Sequence, residues 1–482
     1  MWKNHLNRHT QSILPGSVPE DWLGQNNMFI CSYCFHLVAS SHLQSHHGKC
    51  PLKTASTRVQ LSQERSSNAD ATTQLPSFED VCLLHGSTIR HIPIKSRPAF
   101  AGVLSAAFHS ILHENSEEAW LKFFMLPKCV LVAPKRRGRH HKPLPINHLC
   151  DLWSKGQFGF LWEHASQQVS SKTRQAHTSG SDHNICLAIG LAKEGLYGKA
   201  CQILTSSGVA PNNDTTWQLL QAKHPKAPPP VCSPMCESTL PSVLPDTFDI
   251  LSVLRSFTKS TACGPSGLRV QHLLDAAEVP MQSSICSSLR SIVNLLATGS
   301  VSNVISKFLA GGNLTALTKD KPGSPPDIRP IAVDETLRRL VGKCLCQITK
   351  GKASDYFSPH QFGVACPSDA EKIVHGLRSC IEEHQNEHDF VVMKIDLCNA
   401  FNLVSRQALL DECSAHFPEL LQWAAWCYGQ HPLLWSPMGT IMSESGVQQG
   451  DPLGPLLFCL VLQNMLSAIA SDPICFDLLF HA

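Results

Sequence analysis

Seven prolines fall within HPKAPPPVCSPMCESTLPSVLP, residues 224–245. Each removes a backbone donor and holds φ near −65°, so neither a helix nor a central strand can run through this stretch. A chain of 482 residues must therefore fold on either side of it. At about 100–200 residues per domain, that length allows two to four domains. The sequence predicts a small module at 1–50, a polar linker at 51–97 and an α-helical region at 98–222. A Pro-rich linker at 223–247 and a larger domain at 248–482 complete the division. Within the helical region, apolar spacing from Phe100 to about Met125 predicts one helix, and residues 184–205 another.

Composition excludes some classes. With 43% hydrophobic residues and 40 Lys+Arg against 38 Asp+Glu, the chain is neither mainly disordered nor uniformly basic. No apolar run approaches the ~20 residues that span a bilayer, so no membrane partner is expected. The polar start MWKNHLNRHT predicts no secretory signal, which leaves a nuclear or cytoplasmic location as the expectation. The 21 cysteines then read as reduced thiols plus one metal site rather than as a disulfide framework.

That metal site is predicted in the first fifty residues. Cys31 and Cys34 have knuckle spacing, and His46 and Cys50 follow at a second short interval. Zinc takes four such soft or borderline ligands in a tetrahedron, and Phe35, Leu37 and Leu43 between the pairs suit a small finger core. His42 and His47 are alternatives to His46. His5 and His9 read either as the end of a preceding finger or as a polar tail. A basic run at 134–143 carries Lys135, Arg136, Arg137 and Arg139, which suit nucleic-acid phosphates, a nuclear address or a solvated loop.

After Pro245 helical segments (Pro280–Ala297, Asp334–Lys350, Ser368–Glu383) alternate with short strand candidates. The strands expected are Leu314–Thr318, Ile328–Val333, Phe390–Ile395 and Thr440–Met442. This alternation suits an α/β or α+β domain, and α+β is the class expected. One strand ends in Lys319 and Lys321, a Pro/Gly turn follows, and a second strand carries Arg329. Asp334 is the expected cap of a helix bearing Arg338, Arg339 and Lys343. Such a hairpin suits phosphate oxygens, or is an ordinary exposed hairpin. Further on, the apolar run Val391–Ile395 delivers Asp396 at its end, where a divalent cation could bind, and Phe401 follows one helical turn beyond. Last comes GVQQGDPLGPLLF, residues 446–458, whose glycines permit close backbone approach before an apolar helix.

The succession GPSGL (264–268), KPGSPPDIRPIAV (321–333), KIDLCNAF (394–401) and GVQQGDPLGPLLF resembles the reverse transcriptase domain of non-LTR retrotransposons over roughly residues 250–482. The resemblance implies an incomplete fingers and palm of a right-handed polymerase, behind the zinc-finger-like module and the helical region. It implies that Asp396 is the first Mg²⁺-binding carboxylate and that Phe401 is the aromatic gate against ribonucleotides. Gln449 and Gly450 would contact the template–nucleotide pair, with Lys319, Lys321 and Arg329 near the incoming phosphates. The implied partners are an RNA template, a DNA primer and a dNTP. The finger-plus-linker leader is also similar to those of some such element proteins.

One departure matters chemically. Two-metal phosphoryl transfer places ions about 4 Å apart and needs several carboxylates. The family supplies an aspartate pair after this helix, yet the sequence holds no Asp-Asp dipeptide, only Asp472 and Asp477. The expectation is a chain that begins inside one finger, stops short of the catalytic hairpin, and does not polymerise alone. A non-enzymatic zinc-dependent nucleic-acid-binding protein is the alternative, and an α-rich interaction protein is a third reading.

Overall fold

The computed structural model describes residues 28–30, 37–39, 75–84, 86–133, 144–169, 180–193, 195–206, 208–231, 243–259, 261–278, 280–319, 327–388 and 390–471. They belong to two compact units, Met1–Leu75 and Pro76–Ala482. In the first, strand β1 (Met28–Ile30) pairs antiparallel with β2 (Leu37–Ala39), with Met28 opposite Ala39. The expected zinc ligands Cys31, Cys34, His46 and Cys50 lie outside the described residues. So do Lys135, Arg136, Arg137, Arg139, Lys321, Asp472 and Asp477.

The second unit mixes many helices with one four-stranded sheet. Its first helices are α1 (Phe78–Leu83), α2 (Arg97–Glu114) and α3 (Glu117–Val130). The stretch expected as linker up to residue 97 is thus partly core. Ser77 and Asp80 cap α1 reciprocally, a capping box written in the sequence as Ser-x-x-Asp. The Phe78 ring then packs edge-on to Phe124 at 5.5 Å and stacks on Phe308 at 4.9 Å. The single helix expected from Phe100 to Met125 is broken, because Asn115 turns left-handed (φ 44°) and Ser116 caps a new helix.

Helices α4 (Ile146–Ser154), α5 (Phe158–Val169), α6 (Gly180–Lys193), α7 (Tyr197–Thr205) and α8 (Asp214–Lys223) follow. Across the Pro-rich stretch come α9 (Ile250–Arg255), α10 (Val270–Ala276), α11 (Gln282–Ala297) and α12 (Asn303–Leu309). The two sides of that stretch interlock rather than separate. Thr88 Oγ1 donates to the Gly267 carbonyl (2.7 Å), Ile92 N to Asp275 Oδ2 (2.7 Å), and Arg97 pairs with Asp275 at 3.1 Å. His272 is buried against the Ile89 carbonyl at 2.7 Å, and burial pulls its pKa down to about 4.

The sheet runs β4–β3–β5–β6. Strands β3 (Gly312–Thr318) and β4 (Ile328–Asp334) form the expected antiparallel hairpin, with Gly312 opposite Asp334 and Thr318 opposite Ile328. Strand β5 (Leu433–Ser436) lies parallel to β3 and turns back into β6 (Gly439–Met442). One face of the sheet presents alternate residues Leu314, Ala316, Ile328, Ala332, Leu434 and Ile441 to Leu220 and Trp217 of α8. The segment before α8 also joins the β3 edge, where Ala210 N donates to the Ala316 carbonyl at 2.9 Å. Helix α8, placed by sequence in a separate region, is therefore the lid of this sheet.

Beyond β4 stand α13 (Thr336–Phe357), α14 (Asp369–Glu383), α15 (Ala400–Leu403), α16 (Arg406–His416), α17 (Pro418–Tyr428) and α18 (Gly454–Ser471). The cap of α13 is Glu335 rather than Asp334, since Asp334 is still the last residue of β4. The strand expected at Phe390–Ile395 is absent. An isolated extended segment has nowhere to send its backbone polar groups, and no described strand lies beside it. Helix α18 has the length and apolar composition that crossing a membrane requires, with a third of its residues buried. Its Leu456, Leu457 and Leu460 are buried, it packs against α13 and α16, and Gln463 accepts a bond from Gln361 at 2.7 Å. Those contacts make it a core helix.

Leu220 is fully buried between α8 and the sheet. Leu220→Ala should destabilise the protein by about 2–5 kcal/mol through the cavity left against β3 and β4, checked by urea unfolding.

Candidate functional site

The segment 446–451 threads between β4 and the loop that carries Phe401, and glycines are what let it pass. At Gly450 (φ 137°) a Cβ would stand 2.1 Å from the Ala332 carbonyl oxygen, while Ala332 N donates to the Gln449 carbonyl at 3.1 Å. At Gly446 (φ 67°) a Cβ would meet the Phe401 carbonyl at 2.2 Å, and Val447 N donates to that same carbonyl at 2.7 Å. The Phe401 ring stacks on Phe458 of α18 at 5.1 Å. Phe401, Gln449 and Gly450 are thus brought to one place beside β4.

The other expected residues are placed differently. Arg329 is exposed on β4, three residues before Ala332. Lys319 follows β3, and its Nζ lies 3.7 Å from Asp327, which Lys223 also holds at 2.9 Å. The Lys223 contact, helped by the Ile328 backbone N–H, draws the Asp327 carboxyl below its ordinary range against the opposing effect of burial. Asp396 sits exposed in a stretch without regular structure, with Val391 and Ile395 beside it at 80% and 70% exposure. No described side chain bonds it.

Charge is instead concentrated inside. Arg338, fully buried on α13, donates to the Ala310 carbonyl, to Gln448 Oε1 at 2.5 Å and to Asp451 Oδ2 at 3.0 Å. Arg406 donates to the Gly446 carbonyl (2.9 Å), Ser443 Oγ (2.8 Å) and the Gln430 carbonyl (3.2 Å). Both guanidinium groups lie against the Tyr428 ring, each 5.3 Å from its centroid. The Tyr428 hydroxyl donates to Asp451 at 2.6 Å. Burial, and then the charge of Asp451, push that phenol far above its usual range, so it stays a donor.

Arg338 and Arg339, carried by the helix after the hairpin, are thus bound to protein groups. Arg339 is tied to the Ala262 carbonyl at 2.7 Å, and Lys343 to Ser256 Oγ at 2.8 Å. Glu335, also buried, accepts from the Ser266 amide and from its hydroxyl at 2.8 Å, which seats the GPSGL turn on the start of α13. The helical spacing of Arg338 among Leu337, Leu340, Val341 and Leu345 was the available signal.

Among the described residues no two-metal centre is assembled. Magnesium requires oxygen ligands, usually one or two carboxylates with substrate phosphates. Among the described residues no three His, Cys, Asp or Glu side chains converge, and Asp396 has no second carboxylate beside it.

Residues 319–480, about a third of the chain, match the family model for reverse transcriptase (RNA-dependent DNA polymerase). That part of the chain is similar to a reverse transcriptase domain, and the match includes Asp396, Phe401, Gln449 and Gly450. No curated protein matches the sequence.

Two outcomes test the site. Gly450→Ala forces a Cβ into the Ala332 carbonyl in a backbone conformation that alanine avoids. It should cost about 1–3 kcal/mol or more in a thermal melt. Asp334 is fully buried with both carboxylate oxygens unbonded, and burial lifts its pKa to about 7 despite Arg338 nearby. The folded state then holds a proton that the unfolded chain releases above about 4. Its contribution is complete below that pH and disappears as pH rises through 7. Urea midpoints from pH 4 to 8 should therefore fall more for the parent than for Asp334→Asn.

Proposed function

We propose that this chain carries the RNA-directed DNA polymerase domain of a non-LTR retroelement, in a form that does not extend primers by itself. The observation that carries the reading is the passage of Gln449–Gly450 along β4 at Ala332, with Phe401 held beside them, all inside the matched segment. In this reading Phe401 crowds the sugar 2′ position, and the Gln449–Gly450 backbone lies under the template–nucleotide pair. Arg329 and Lys319 face the incoming phosphates. RNA template, DNA primer and dNTP are the partners.

Divalent ions supply the charge neutralisation in such chemistry. Among the described residues no second carboxylate joins Asp396, and a site short of the donors for two ions would lose stabilisation worth many decades of rate. We also read Cys31, Cys34, His46 and Cys50 as a zinc module, and Lys135, Arg136, Arg137 and Arg139 as a phosphate-contacting run.

In a primer-extension assay with Mg²⁺ or Mn²⁺, the chain should incorporate no more nucleotide than Asp396→Ala. Incorporation above that control overturns the inactivity. A template–primer shift that weakens steeply with salt should persist in both, and its absence would remove the nucleic-acid reading.

A further inference from the structure

Residues 225–231, between α8 and α9, read Pro-Lys-Ala-Pro-Pro-Pro-Val. Each proline holds φ near −65°, and a following proline pushes ψ of Ala227, Pro228 and Pro229 to about 120–160°. Those angles are polyproline II, a helix of three residues per turn. Burial follows that period. His224, Ala227 and Pro230 are half-buried, whereas Lys226, Pro228, Pro229 and Val231 are exposed, Val231 to 80%. One ridge of the helix therefore lies on the protein, and the other two face outward.

The segment is fastened at both ends and bare between them. Asn399 and Asn402 both donate to the Lys223 carbonyl. At the other end Gln407 clamps Val231, accepting from its N–H at 2.7 Å and donating to its carbonyl at 3.3 Å. The one N–H bonded between them is that of Ala227, on the inward ridge, which donates to Glu444 at 3.2 Å. No described group donates to the carbonyls of residues 225–230. The outward ridges thus offer proline rings and unpaired acceptors, held in one conformation.

That chemistry selects its partner. Strand addition needs alternating donors and acceptors, and three consecutive prolines supply no donor. A phosphate surface needs clustered cations, and Lys226 stands as the single cation of residues 225–231. An aromatic slot satisfies both exposed features, since its rings pack on proline while an indole N–H or phenol O–H donates to a bare carbonyl. Pro228 and Pro229 span about 6 Å, enough to fill one such slot. Lys226 shares a ridge with Pro229, so a carboxylate at the edge of the slot would meet it. Fixed ends spare the partner the entropy of ordering the segment.

We propose that residues 226–231 are a docking site for a small polyproline-reading domain of the WW type, with one aromatic slot edged by a carboxylate. The segment is read in place, with Ala227 and Pro230 still seated on the protein. The site goes beyond the polymerase reading and does not depend on it.

A purified WW domain with an acidic slot edge, titrated with the full chain and followed by the fluorescence of its slot tryptophan, tests this. The parent chain should saturate it below about 1 mM. Full-length Pro228→Ala, Pro229→Ala should bind at least about tenfold more weakly. Lys226→Glu should weaken binding at low salt and approach the parent at high salt. Amide exchange in the β3–β4 hairpin and α13 should be the same in all three chains, which separates lost docking from lost folding. Failure of the parent to saturate the domain overturns the proposal. So does binding that survives the double proline variant, because another part of the chain would then be the ligand. The Ala227 and Val231 amides should stay protected in the complex, and their release would show a detached segment and overturn reading in place.

Discussion

The Tyr428 ring, with Arg338 and Arg406 against it and Asp451 on its hydroxyl, is the contact on which the second unit depends. Two buried guanidinium groups are costly to desolvate, and cation–π contact alone does not offset that. What offsets it is that most of their donors end on backbone carbonyls and acceptors of segments with no regular structure. Arg338 holds Ala310 and Gln448, and Arg406 holds Gly446, Gln430 and Ser443. The turn 446–451 is therefore shaped by α13, α16 and α17 together, and it reaches β4 and Phe401 as one rigid piece. Removing one guanidinium would leave several buried acceptors unpaired at once.

The same dependence explains why the Pro-rich stretch does not divide the unit. Proline-rich chain makes no hydrogen bonds within itself, so it can lie across a surface and be held there by side chains. Asn399 and Asn402 both donate to the Lys223 carbonyl at 3.0 Å, Ala227 N donates to Glu444 at 3.2 Å, and Val231 N donates to Gln407 at 2.7 Å. Residues 223–231 therefore run as a strap from Lys223, whose side chain meets Asp327 and whose carbonyl meets the loop carrying Phe401, to Gln407 of α16. Together with the lid helix α8 and the α2–α10 contacts, the strap binds the regions before and after the prolines into one body.

Local patterns were legible where a local cause decides the structure. The β3–β4 hairpin follows its alternation, and α11 and α14 follow their helical period, each within two residues of expectation. The capping box at Ser77 was legible too, but a polar neighbourhood hid it. Failures came where the partner is distant in sequence. Val391–Ile395 has every mark of a strand except a described neighbour to pair with. Arg338 looks like surface charge until Asp451, 113 residues away, is brought beside it.

By itself, the sequence determined the hairpin, several of the helices, the close-approach glycines and the order of motifs that resembles a reverse transcriptase domain. These follow from φ preference, side-chain period and the space a Cβ occupies, all local quantities. The tertiary structure alone decided that the two sides of the proline stretch form one unit and that Arg338, Arg339 and Lys343 bind protein rather than phosphate. It also decided that Asp396 stands without a second carboxylate among the described residues. Each of these depends on which groups share a low-dielectric interior or a metal-sized space, and such pairings link segments too far apart in the chain for any sequence period to encode.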